Sequence, residues 1–146
     1  MNLSISNIAW LPKDRNKIYR FLSKEKIEGI EIAPKLLLHD IENIFKLNKK
    51  ETIKHLKELK KHNLKIVSMQ SLFFDAKDCY LFQSAKQRSN FVNHLTQIIR
   101  LAKKLGIKNL VFGSPKNRII PSDMKYIEAE KIAIKVFKKI GKIAKL

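Results

Sequence analysis

The chain has 146 residues, of which 45% are hydrophobic, and its net charge is +18. This length predicts one domain with enough apolar residues for a core, and the apolar runs are too short to cross a bilayer. The N-terminus lacks the basic and apolar segments of a signal peptide, and the lone Cys79 excludes an internal disulfide. These features predict a cytoplasmic protein without a membrane partner.

The positive charge does not by itself predict a nucleic-acid-binding protein. Most of the basic residues are lysines, and in the last predicted helix they recur with helical spacing opposite an apolar face. This pattern is typical of a solvated helix surface, and the alternative is a stripe that binds a polyanion. We therefore do not expect a nucleic-acid partner.

Short apolar strands alternate with amphipathic helices along the whole chain. The strands are predicted at Leu3–Ile8, Gly29–Ala33, Leu64–Met69 and Asn109–Phe112. Alternating βα units predict an α/β fold with a parallel sheet and helices packed on it. Four strands and four helices are half of an eight-unit barrel, so residues 1–146 are predicted to form a single partial (β/α)8-barrel domain.

The predicted helices carry recognisable signals at their ends and on their faces. The end signals are Pro12 and Asp14 for the first helix, Asn48-x-x-Glu51 and Asn63 for the second, Ser84-x-x-Gln87 and Gly106 for the third, and Ser122 or Asp123 for the fourth. The side chains expected to be buried on the apolar faces are Ile18, Phe21 and Leu22 on the first helix, Ile53, Leu56 and Leu59 on the second, Phe91, Leu95, Ile98, Ala102 and Leu105 on the third, and Ala133, Val136, Phe137, Ile140 and Ile143 on the fourth.

Polar residues cluster where the predicted strands end. They are Ser6 and Asn7, Glu31, Gln70 and Ser71, and Ser114. The carboxyl ends of parallel strands form the active-site face of a barrel and the binding crevice of an open sheet. We therefore expect Asn7, Glu31, Gln70 and Ser114 to converge at one end of the sheet, with Trp10 and Phe74 at its rim.

Glu31 is the most informative single residue, because a carboxylate between Ile30 and Ile32 must find a partner or shift its pKa. It could contact a substrate hydroxyl or a metal ligand in a barrel mouth. Alternatively, it could be a structural carboxylate bonded to a neighbouring strand end, such as Asn7 or Gln70.

Two aromatic side chains and a basic one have similarly open interpretations. Trp10 and Phe74 could stack on the apolar face of a sugar or pack within loops. Arg118, or the neighbouring Lys116, could bind a phosphate or remain a solvated charge.

The segments NLSISNIAW, GIEIAP, KIVSMQSLFF and NLVFGSPKNR together resemble the N-terminal half of sugar phosphate isomerases/epimerases with a xylose-isomerase-like TIM barrel. The most specific parts are VSMQSLFF and VFGSPKNR. The resemblance implies a role in carbohydrate metabolism, with proton transfer next to a carbonyl of a sugar or sugar phosphate. It leaves the catalytic residues unknown and implies substrate-binding roles for Asn7, Trp10, Glu31, Gln70, Phe74, Ser114 and Arg118.

The same resemblance implies a divalent metal (Mn, Mg, Co or Zn) in a full-length member, but no metal ligand in this half. In that family two Glu, an Asp and usually a His bind the metal from the last four strands, which have no counterpart here. A metal-dependent isomerase half is therefore expected to be inactive alone. His39, His55, His62 and His94 lack the spacing of metal ligands.

Three functional hypotheses follow, and the sequence does not distinguish the sugar, the stereocentre or the metal. The first is an isomerase or epimerase half, truncated or separately encoded. The second is a stand-alone, non-enzymatic α/β binding module. The third resembles endonuclease IV, but Gln70-Ser71 and Ser114 stand where that relative carries metal-binding histidines.

A half barrel would also have two unpaired sheet edges and an inward face without its opposite wall. We expect that face to be apolar, so the isolated chain should pair as a homodimer or bind a complementary C-terminal half. The alternative is an open, flavodoxin-like sheet with a helix over the exposed face.

Overall fold

A computed structural model describes residues 3–145 as an α/β fold with a three-stranded parallel sheet and five α-helices. The strands are β1 (Ser4–Ser6), β2 (Gly29–Ile32) and β3 (Lys65–Met69). The helices are α1 (Arg15–Lys24), α2 (Pro34–Leu37), α3 (Lys49–Lys61), α4 (Ala85–Lys104) and α5 (Tyr126–Ala144). No helix in residues 3–145 is long and apolar enough to cross a membrane.

The sheet has the strand order β1-β2-β3, so each strand lies beside its neighbour in sequence. Parallel crossovers are almost always right-handed, and in this order they place every connection on the same face of the sheet. That arrangement is the winding of a barrel. A flavodoxin-like sheet instead reverses its strand order and carries helices on both faces.

The predicted fourth strand, Asn109–Phe112, is reduced to a single parallel bridge between Met69 and Leu110. Met69 N–H donates to Asn109 O at 2.9 Å, and Val111 N–H donates to Met69 O at 2.8 Å. The direction of pairing was therefore predicted correctly, but the length was not. Gly113 follows at once, and Ser114 turns the chain with a positive φ of 32°.

The two faces of the sheet differ in chemistry. Ile30 and Ile32 are fully buried on one face. On the other face Ser6 lies opposite Glu31, and Glu31 lies opposite Ser68. The expectation of an apolar inward face is therefore wrong for this row of residues, because the strand alternation places polar side chains there.

A β-bulge in β3 places Ser68 opposite Glu31 of β2. Ile30 pairs with Ile66, but the next residue, Glu31, pairs with Ser68, so Val67 is the extra residue. Without the bulge Val67 would lie opposite Glu31. One inserted residue therefore turns Ser68 to the face that carries the carboxylate.

Residues 3–145 group into two compact units. The first unit, residues 3–72 and 101–112, contains the sheet with α1, α2 and α3. Its most deeply buried side chains include Tyr19, Leu22, Ile30, Ile32, Leu37, Leu38, Leu47, Met69 and Leu101.

The second unit, residues 73–100 and 113–145, contains most of α4 and all of α5. Phe73 stacks on Phe91 with ring centroids 4.6 Å apart. Its other buried side chains include Leu81, Leu95, Ile98, Val136 and Ile140.

The local end signals are confirmed for two helices. Asn48 and Glu51 form a capping box at α3, with both reciprocal bonds at 2.9 Å. Ser84 and Gln87 make the same reciprocal pair before α4, with both bonds at 3.3 Å. Short-range geometry fixes these contacts, and this is why sequence spacing predicts them.

The start of α5 was predicted wrongly. The helix begins at Tyr126 without a side-chain cap, whereas Ser122 or Asp123 was expected to begin it. Met124 N–H donates to Pro121 O at 3.1 Å, so the chain makes a separate turn through both residues before the helix begins.

The predicted buried faces of three helices are slightly displaced. Phe21, Ile53 and Phe137 are 55%, 42% and 38% exposed, although each was expected inside. Leu22, Leu59, Val136 and Ile140 are buried as expected. Tyr19 on α1 and His55 on α3 are buried as well, although they were not expected inside. A helix can rotate by one residue position without changing its amphipathic period, so tertiary packing sets the final orientation.

Candidate functional site

Four half-buried polar side chains lie near the carboxyl ends of the strands in the first unit and form two hydrogen-bonded pairs. Ser68 Oγ donates to Glu31 Oε2 at 2.7 Å. Gln70 Nε2 donates to Ser6 Oγ at 2.6 Å. We call these residues, Ser6, Glu31, Ser68 and Gln70, the polar row.

The polar row has hydrogen-bonding capacity left over. Among residues 3–145 no group donates to the second oxygen of Glu31, and Gln70 uses its amide nitrogen rather than its oxygen. The Ser6 oxygen accepts from Gln70, so its own hydrogen is available as a donor. The row therefore offers both acceptors and a donor, which is what a ligand with several hydroxyl groups requires.

Ser68 is the member of the row that the sequence did not reveal. Glu31 was expected to bond to Asn7 or Gln70 if its role was structural, but its partner is Ser68. The only sequence signal was that Ser68 precedes Gln70 by two residues, the spacing that places side chains on one face of a strand. The bulge at Val67 had no such signal.

Asn7 lies beside the polar row but is already engaged by backbone. Its side chain is 3% exposed. Ala33 N–H donates to Asn7 Oδ1 at 2.6 Å, and Asn7 Nδ2 donates to Ala33 O at 3.2 Å. Asn7 thus holds the end of β1 to the end of β2 and fixes the spacing of Ser6 and Glu31.

Trp10 packs against α1 in the same unit. Its ring meets Tyr19 edge to face, with centroids 6.3 Å apart and planes at 88°. Burial raises the pKa of Tyr19 to about 12. Trp10 remains half-buried, so part of its ring surface is accessible.

The remaining predicted binding residues belong to the second unit. Phe74 is 61% exposed. Ser114 is half-buried and has a left-handed backbone conformation. Arg118 donates from Nε to Gly113 O at 2.9 Å, and this bond fixes the side chain along its own loop.

The donors of the polar row do not fit a divalent metal. Glu31 is its one carboxylate, and the other groups are hydroxyls and an amide, whereas Mg²⁺ and Mn²⁺ sites draw on several oxygen ligands with carboxylates among them. Within residues 3–145 no three His, Cys, Asp or Glu side chains gather into a cluster that could hold a metal.

The buried histidine lies outside the row. His55 Nε2 is 3.3 Å from Asp40 Oδ1, and its side chain is 2% exposed. Burial lowers the pKa of His55, although the nearby Asp40 carboxylate acts in the opposite direction. His55 is therefore neutral near pH 7 and belongs to the packing between α3 and the loop that follows α2.

No family model and no curated protein sequence matches this chain. Solved structures do. A 3-keto-D-glucoside 4-epimerase from E. coli superposes with a TM-score of 0.65 at 16% identity, covering 99% of this chain and 52% of the epimerase. A D-psicose 3-epimerase, crystallised in the presence of D-fructose, gives a TM-score of 0.62 at 13% identity, with coverage of 99% and 50%.

These similarities define the fold class. The chain spans about half the length of the two epimerases, whose fold is the xylose-isomerase-like TIM barrel. The predicted α/β fold with barrel-type units is thereby supported, and the order β1-β2-β3 agrees with it.

Proposed function

We propose that this chain is the N-terminal half of a sugar or sugar phosphate isomerase/epimerase barrel, and that the polar row binds substrate hydroxyls. The observation that carries the proposal is the position of Glu31, in register between Ser6 and Ser68 at the carboxyl ends of parallel strands. The structural similarity to sugar epimerases over half their length supports the same assignment.

In this proposal the chain binds and orients substrate. One oxygen of Glu31 is held by Ser68, and the second accepts a hydrogen bond from a sugar hydroxyl. Ser6 donates to a neighbouring sugar oxygen, while Gln70 keeps Ser6 in place. Asn7 acts through position, because it holds the two strand ends together.

The sequence resemblance implies substrate-binding roles for four further residues. Trp10 and Phe74 offer apolar ring faces to the C–H groups of a sugar. Ser114 and Arg118 would contact the polar or phosphorylated end of the substrate. These four assignments rest on the sequence resemblance.

We propose further that the chain is inactive alone, because residues 3–145 hold no cluster of side chains that could serve as a metal ligand set. A divalent metal would be held by a separate C-terminal half that completes the barrel. We place the protein in the cytosol because Cys79 is its only cysteine, so it can form no internal disulfide.

Saturation-transfer NMR with D-fructose and D-psicose tests the binding role. The wild-type chain should give sugar signals at millimolar ligand, and Glu31→Gln should weaken them several-fold because it removes a charged acceptor. Glu28→Gln is the matched control, because Glu28 precedes β2 and pairs at the surface with Lys65 at 3.5 Å. Equal signals from Glu31→Gln and the wild type would refute the assignment of Glu31.

A further inference from the structure

Helix α5 has a basic outward surface. Between residues 131 and 145 the helix and its C-cap residue carry exposed lysines and no acidic residue: Lys131, Lys135, Lys138, Lys139, Lys142 and the C-cap Lys145. Within residues 3–145 none of these lysines makes an ion pair shorter than 4.0 Å. The charge on this surface is therefore available to a partner.

An exposed apolar stripe runs beside the lysines. Tyr126 is 75% exposed, Ile127 56% and Ile134 49%, although the opposite side of α5 buries Val136 and Ile140. Ile127 and Ile134 are seven residues apart and share one face. Lys131 and Lys138 are also seven residues apart, and each follows one of the isoleucines by four residues. On a helix this spacing places each lysine beside an isoleucine.

We infer that this outward face of α5 docks an acidic polypeptide with an apolar seam. On the proposed function, that polypeptide is the complementary part of the barrel. The isoleucine spacing matches the heptad spacing of a packed helix, and the flanking lysines correspond to the positions that select a partner by charge. Burial of the two isoleucines supplies affinity, and the lysines supply specificity for acidic side chains.

Charge and composition decide against other occupants. A second copy would bring another +18 to the interface, so like-charge repulsion opposes it. Nucleic acid offers phosphates to the lysines but no apolar surface to Ile127 and Ile134.

Fluorescence anisotropy with a labelled helical peptide tests the inference directly. The probe is a peptide of about 20 residues with Leu at heptad positions a and d and Glu at e and g. The full chain should bind it, and added salt should weaken the complex. Peptides with Lys in place of Glu, or with the leucines scattered, should not bind.

Two pairs of substitutions separate the contribution of the isoleucines to peptide binding from that of the lysines. Ile127→Ser with Ile134→Ser, and Lys131→Ala with Lys138→Ala, should each raise the Kd about tenfold or more. Ile53→Ser on α3 is the apolar control, because Ile53 is 42% exposed on a helix of the other unit, and it should leave the Kd unchanged. Circular dichroism confirms that each variant is folded.

Other results would overturn the inference. One is a peptide Kd that neither pair of substitutions changes. Another is binding of oligo-dT or phosphatidylserine vesicles that is tighter than binding of the peptide and is weakened by the same lysine substitutions. A dimer in sedimentation that Ile134→Ser dissociates would assign the face to a second copy. The sugar-binding test uses Glu31 alone, so either proposal can fail while the other holds.

Discussion

At the scale of single residues, the titration of Tyr19 gives the clearest prediction. Its side chain is 1% exposed, and burial raises its pKa to about 12 from an ordinary value of 10.0. The unfolded chain therefore loses this proton near pH 10, whereas the folded chain keeps it until about pH 12. The stabilisation is fully present below pH 10 and is lost as the pH rises to 12, by about 2–3 kcal/mol for a shift of this size.

Urea unfolding between pH 8 and pH 12 measures this effect by difference. Tyr19→Phe should remove the tyrosine contribution, so its free energy of unfolding should fall less steeply above pH 10 than that of the wild type. Tyr126→Phe controls for an exposed tyrosine, because Tyr126 is 75% exposed. Identical pH profiles for the wild type and Tyr19→Phe would show that Tyr19 titrates normally.

At the scale of elements, the contact between β1 and β2 depends on Gly29. A Cβ atom at this position would lie 2.7 Å from Ser4 Cβ and 3.1 Å from Leu3 O. Neither atom is the end of a flexible side chain, so β1 would have to move. Gly29→Ala should therefore destabilise the fold by about 1–3 kcal/mol, the usual cost of overpacking.

A double-mutant cycle in urea tests the cause. Ser4→Gly should recover part of the loss caused by Gly29→Ala, because it removes the closest atom. Gly141→Ala on α5 is the matched control, since a Cβ there would meet nothing within 4 Å, and it should stabilise by about 0.5–1 kcal/mol. Strictly additive effects of the Ser4 and Gly29 substitutions would contradict a steric contact between the strands.

At the scale of the whole molecule, the free edge of β1 and the net charge act against each other. Within residues 3–145 β1 pairs only with β2, so its other edge offers unpaired N–H and C=O groups. The charge of +18 opposes self-association at low ionic strength. We expect the isolated chain to associate increasingly as salt screens this charge.

Sedimentation velocity at micromolar protein, from low to moderate NaCl, measures the degree of self-association. The weight-average mass should rise above that of the monomer as the salt concentration increases. Lys139→Glu changes the net charge without changing the sheet edge. It should therefore allow association to begin at a lower salt concentration. A purely monomeric protein at every salt concentration would contradict the prediction that the unpaired edge of β1 promotes self-association.

Much of this architecture follows from local sequence rules. Gly29–Ala33 and Leu64–Met69 predicted β2 and β3 to within one residue at each end, because short apolar runs that alternate with helical patterns are typical of parallel strands. Asn48-x-x-Glu51 predicted the start of α3 because the capping contacts span only three residues. Polar residues at the strand ends predicted that Glu31 and Gln70 would lie in the same region, since parallel strands end together.

Only the tertiary structure decided the details of the candidate site. The bulge at Val67 placed Ser68 beside Glu31, and no local propensity encodes an extra residue in one strand of a pair. The side chain of Asn7 is hydrogen-bonded to the backbone of Ala33, which lies twenty-six residues away in sequence. The amphipathic period defines the buried face of a helix to within one residue position, so tertiary packing, including the ring contacts of Tyr19 with Trp10 and His62, decided between Tyr19 and Phe21.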